Sequence, residues 1–174
     1  GINSKVLGFL KFKPNYLIET DIKTSTLAYA TPRTWEMVSD VLNNVSADIK
    51  DVYHLVAGLV GKGIAVEFRS WCSIYEQLPD IESIFKGRYV EVPKRPDVLY
   101  ALISSMLTYA KLHKDDLVMI ENSINYAMKL SAEFSTILLK DYLYIEQDYQ
   151  KRLLRIRAFS KWLSSKGRLL DELN

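Results

Sequence analysis

This sequence has little of what marks many protein classes. Of 174 residues one is cysteine, Cys72, so no internal disulfide can form and a reducing, cytoplasmic setting is expected. Only two histidines are present, His54 and His113, far apart and without a CxxC or HExxH spacing, so no metal site is expected. Five prolines and seven glycines leave few turns and imply long elements. No apolar run approaches the roughly 18 residues of a membrane span. No charged start followed by a cleavable apolar core marks a signal peptide. A chain opening on Gly1 without an initiator Met predicts a fragment or a processed chain. No GxxxxGK[ST] loop is present, and Gly61-Lys62-Gly63 is too short to cradle a phosphate.

What is there reads as helix throughout. Hydrophobic residues make up 48% and charged residues 25%, the balance of a globular chain. No stretch alternates long enough to build a sheet. The expected fold is an all-α multi-helix bundle ending in a long C-terminal helix. Ser4 to Phe12 predicts a first helix, stopped by Pro14. Thr31 and Pro32 open another in the favoured order of hydroxyl cap then proline, with Trp35, Val38, Val41 and Leu42 as its stripe. Asp48 caps a helix burying Ile49, Val52, Leu55, Val56 and Leu59. Ile64, Phe68, Trp71 and Tyr75 mark the next, with Cys72 beside them as a small core residue. Asp80 starts a short turn of helix ended by Gly87. Asp97 to about Leu112 predicts a helix with Leu99, Leu102, Ile103, Met106 and Ala110 inside. Asp115 caps one reaching Lys129. Ser131 caps a last helix running unbroken to Ser165, with Tyr149, Leu153, Ile156 and Leu163 as a stripe suited to a groove or a partner helix.

The formal net charge of +2 conceals an asymmetry. Residues 1–150 carry 16 basic and 19 acidic side chains, whereas residues 151–168 carry seven basic and none acidic. Lys151, Arg152, Arg155, Arg157 and Lys161 are thus candidate partner-binding residues, continued by Lys166 and Arg168. A solvated helix face and a surface for nucleic acid or an acidic protein both fit this run. Arg33 is the other cation of interest. As the second residue of a helix it sits at the positive end of the dipole, where an anion would relieve it. Pairing with Glu36 one turn on is the plain alternative.

A resemblance bears on Arg33. The stretch Ala28-Tyr29-Ala30-Thr31-Pro32-Arg33-Thr34-Trp35-Glu36-Met37-Val38-Ser39 resembles the opening of a lid helix in MoxR-type AAA+ ATPases, where (T/S)PR(T/S)WE-V-S is frequent. Phe9-Leu10-Lys11-Phe12-Lys13-Pro14 resembles the run before it. Gly61, Ala65, Glu67-Phe68 and Leu78-Pro79 resemble segments after it. These pieces cover roughly residues 6–85 in the family's order and spacing.

The resemblance implies a lid-like helical domain over residues 1–92. A helical extension over 93–174 would pack on it and carry a basic helix at 151–168. It implies that Arg33 is the sensor-2 residue, reaching the phosphates of ATP bound with magnesium by a preceding α/β domain. The parent would be a homo-oligomeric ring that remodels proteins. This chain lacks the phosphate loop and the magnesium-binding acids, so no catalytic residue, metal site or tightly bound cofactor is expected in it alone. The alternative is a helical adaptor that binds an acidic protein or nucleic acid through its basic C-terminal segment.

Overall fold

The computed structural model describes residues 1–18, 28–44 and 49–165. Among these every regular element is helical: α1 (Ser4–Phe12), α2 (Pro32–Asn44), α3 (Ile49–Val60), α4 (Lys62–Cys72), α5 (Ile81–Phe85), α6 (Pro96–Leu112), α7 (Leu117–Ala127), α8 (Ala132–Leu143), α9 (Tyr149–Leu153) and α10 (Arg157–Ser164), with 3-10 turns at Pro14–Tyr16 and Ser73–Gln77. The all-α expectation therefore holds. Among the described residues no helix is long and apolar enough to cross a membrane.

Two compact units divide the chain, at bounds other than the 92/93 division drawn from sequence. One comprises Gly1–Leu78 with Arg95–Ser104, the other Pro79–Lys94 with Ser105–Asn174. Helix α6 thus gives its first half to one unit and its second half to the other.

In the first unit, α3 packs on α2 and α4, and α1 on α2 and α4. Its core is aromatic. Phe9 lies 5.5 Å from Trp35 and 5.2 Å from Phe68, and Trp35 lies 5.4 Å edge-on to Phe68. Ring edges meeting ring faces suit the aromatic quadrupoles. The predicted stripe of α3 needs correction: Ile49, Val52 and Val56 are buried and Leu59 is half-buried, but Leu55 is exposed and Val60 joins the buried face. Leu55 lies about 100° round the helix from its neighbour Val56, so the burial stripe is narrower than the apolar one. The Asp48 cap lies outside the described residues.

In the second unit, α7 packs against α5, α8 and α10. Asp80 caps α5 as expected, accepting from the Glu82 N–H. Gly87, with φ +71°, turns the chain after α5, and a Cβ there would come within 3.1 Å of Asn122. The α7 cap is Asp116, not Asp115: its carboxylate accepts from the N–H groups of Val118 at 3.1 Å and Met119 at 3.0 Å. Asp115 is free to face elsewhere. Ser131 occupies the N-cap of α8, but its side chain makes no capping hydrogen bond.

The long C-terminal helix does not exist as one rod. It is broken into α8, α9 and α10. Asp148 takes a left-handed conformation, φ 60° and ψ 12°, which short polar side chains tolerate and helices do not continue through. Ile156 is extended, φ −86° and ψ 117°, and separates α9 from α10. The basic helix at 151–168 is accordingly two short helices as far as residue 165. Tyr149, Leu153, Ile156 and Leu163 are all buried within their own unit. The stripe is core, so it is not available to a neighbouring subunit.

Candidate functional site

Arg33 is the second residue of α2 and is exposed. The helix start around it is tightly made. The Thr34 N–H donates to Thr31 Oγ1 at 3.1 Å, and the Thr31 N–H donates back to Thr34 Oγ1 at 2.9 Å. This is a capping box with threonine in the place usually held by glutamate. Pro32 has no N–H to offer. Of the first three helical residues, only Arg33 keeps a backbone N–H outside these bonds. An anion approaching here would therefore be held chiefly by the guanidinium, which can grip phosphate with two parallel N–H groups. Among the described residues no acid pairs with Arg33, Glu36 included.

Two residues past Arg33, Trp35 opens a chain of contacts across three elements. The Trp35 indole Nε1 donates to the Tyr16 carbonyl at 2.7 Å. The Tyr16 hydroxyl donates to Glu67 Oε1 at 2.6 Å, and Lys13 closes an ion pair with the same carboxylate. Hydrogen bonds from Lys13 and Tyr16 hold Glu67 below the usual glutamate range, and the Glu67 contact raises Lys13. Nothing in the local sequence marks Tyr16, and Glu67 stands out only as part of an EF-containing segment. The partners lie 51 and 54 residues apart, so no local spacing exposes them.

The five basic candidates of the second unit separate into two groups. Arg152 donates to Asp115 Oδ1 at 2.8 Å and Glu146 Oε1 at 3.2 Å. Lys114 also pairs with Glu146, and its hydrogen bond is the main reason that carboxyl is held low; Arg152 does the same for Asp115. Lys151 pairs with Asp148 at 3.1 Å. Arg155, Arg157 and Lys161 are exposed and in no ion pair with a described residue. Lys166 and Arg168 lie outside the described residues. Arg33 and the basic segment belong to different units.

No protein-family model, curated protein or solved structure matches this chain.

Proposed function

We propose that this chain is the helical lid of an AAA+ ATPase of the MoxR type, with Arg33 as the residue that meets the nucleotide phosphates. The observation that carries the reading is the state of Arg33 itself. It stands exposed at the start of a capped helix, without an acidic partner among the described residues, inside the Thr31-to-Trp35 string that resembles the family's lid opening. The nucleotide and its magnesium would be held mainly by a separate α/β domain. Arg33 would stabilise negative charge on the transferring phosphoryl group. Protein remodelling by a ring of such subunits is the activity this reading carries with it.

The test is ATP turnover by the parent protein carrying Arg33→Ala. Alanine suits the first turn of a helix and removes no internal contact, so the fold should persist, as circular dichroism would show. Turnover should fall about a hundredfold, the order expected when one charge-stabilising donor is lost. Unchanged turnover rejects the sensor role.

A second reading rests on Arg155, Arg157 and Lys161. Three exposed cations with no acid between them fit an adaptor that docks an acidic protein or nucleic acid. Binding to duplex and single-stranded nucleic acid, followed against salt, would show a steep salt slope if this holds. Absence of binding at low salt leaves only the protein partner.

A further inference from the structure

A cleft of ≈ 270 Å³ lies within the first unit, away from Arg33 in its lining. Its charged walls are Lys5, Lys50, Arg69 and Glu76, three cations against one carboxylate. They come from four elements: α1, the first turn of α3, the last turn of α4, and the 3-10 turn that follows it. Bringing like charges from separate elements around one small volume is unfavourable, and an anion between them reverses the sign of the field's effect.

Lys5 and Arg69 are in no ion pair with a described residue. Both are steadied by aromatic faces instead. Lys5 Nζ lies 5.9 Å from the centre of the Tyr75 ring, and the Arg69 guanidinium lies 4.8 Å from that of Tyr53. Such contacts position a cation without neutralising it. Tyr75 is itself fixed, its hydroxyl donating to the Ser4 carbonyl at 2.7 Å. Ile49, Cys72 and Ser73 complete the lining beside them.

We propose that this cleft binds the phosphate dianion of a small phosphate compound. Arg69 supplies bidentate N–H contacts, and Lys5 acts as a point charge. Glu76 restrains affinity and disfavours bulkier acidic ligands. The volume lies below the roughly 300–1,000 Å³ of sites that enclose drug-sized ligands, so it suits a phosphate head and not a whole nucleotide. This site is independent of the ATPase reading.

An NMR titration of the whole chain at constant ionic strength tests it, with methyl phosphate, dimethyl phosphate and trimethyl phosphate as a charge series and inorganic phosphate beside them. Saturable shifts are expected at the amides of Lys50, Arg69 and Glu76. They should be strong with the dianions, weaker with the monoanion and absent with the neutral ester. Tighter binding of methyl phosphate than of inorganic phosphate points to an ester, and the reverse to free phosphate; both support the site. Arg69→Gln should weaken binding at least about tenfold, the loss expected for a charged hydrogen bond. Lys5→Gln provides the same reading should Arg69→Gln fold poorly. Glu76→Gln should tighten binding, and Arg33→Ala should leave it unchanged. Shifts that stay linear to high concentration, or equal affinities in Arg69→Gln, Lys5→Gln and the unmodified chain, overturn the proposal.

Discussion

The indole of Trp35 donates to the backbone carbonyl of Tyr16 at 2.7 Å, so the residue two places after Arg33 ties α2 to the turn that follows α1. The ring is 2% exposed and meets both Phe9 and Phe68. Trp35→Ala should therefore cost about 3–5 kcal/mol, the range for emptying a large aromatic site. Trp35→Phe keeps most of the ring packing but removes the indole donor to the Tyr16 carbonyl, and should cost clearly less. Urea unfolding of both variants measures the pair. A loss below about 1 kcal/mol for the alanine variant would mean that the indole does not hold this end of the unit together.

Glu67 links pH to that same corner. Its folded carboxyl is held low by hydrogen bonds from Lys13 and Tyr16. A depressed carboxyl stabilises the fold above its unfolded value, and that contribution is lost as pH falls through the usual glutamate range and then through the folded value. Lys13 is raised, so its share is complete below its unfolded value and disappears as pH rises past the folded one. Both side chains are more than a third exposed, 38% and 40%, so screening keeps the effect small. Urea midpoints at neutral and acid pH should converge between the unmodified chain and Glu67→Gln as the pH drops. Parallel acid limbs for the two proteins would remove Glu67 from the account.

Local chemistry was legible where neighbours in sequence decide it. Thr31 and Pro32 announce α2, Asp80 announces α5, and the spacing of Ile64, Phe68 and Trp71 marks a face that is indeed buried. Legibility failed where distant residues decide. Asp115 and Asp116 look alike as caps, but Arg152, 37 positions on, takes Asp115 and leaves the cap to Asp116. The stripe Tyr149, Leu153, Ile156, Leu163 keeps helical spacing through a bend, because all four serve one core while the backbone turns at Asp148 and again at Ile156. Of the candidate site, Arg33 stands out in the sequence, but the Trp35–Tyr16–Glu67 chain that ties down its helix rests on contacts made only in the fold.

Two glycines should respond to alanine in opposite directions. Gly8 lies inside α1, where propensity alone favours alanine by about 1 kcal/mol. A Cβ there would come within 2.9 Å of the Trp71 ring and of the Tyr75 hydroxyl, and 3.0 Å of Ser104 Oγ. Neither aromatic side chain can yield easily, since Trp71 donates to the Lys5 carbonyl at 2.9 Å and Tyr75 to that of Ser4. Overpacking costs about 1–3 kcal/mol, so Gly8→Ala should destabilise on balance. Gly58 is exposed in α3, with nothing within 4 Å of the added carbon. Gly58→Ala should stabilise by about 0.5–1 kcal/mol. Thermal unfolding of the two variants decides the matter, and a gain at Gly8 would refute the close contact.

The second unit should be sensitive to alkali through its buried tyrosines. Burial pushes Tyr126 and Tyr149 up to about 12 and Tyr142 higher still. Their hydroxyls donate to the Glu91 carbonyl at 3.1 Å, the Lys114 carbonyl at 2.8 Å and Ser123 Oγ at 3.1 Å. In the folded state each keeps its proton beyond the pH at which an unfolded tyrosine, near 10, gives it up. The unfolded chain then binds fewer protons, so stability falls with rising pH from about 10 upward. Unfolding midpoints taken from pH 9 to about 12 should show this decline. Replacing Tyr126 and Tyr149 together by phenylalanine should make it shallower, with Tyr142 supplying what is left. At neutral pH each replacement should cost about 0.5–1.5 kcal/mol, because a carbonyl acceptor loses its donor. Should the double variant decline as steeply as the unmodified chain, the alkaline loss belongs to other groups and these two hydroxyls do not govern it.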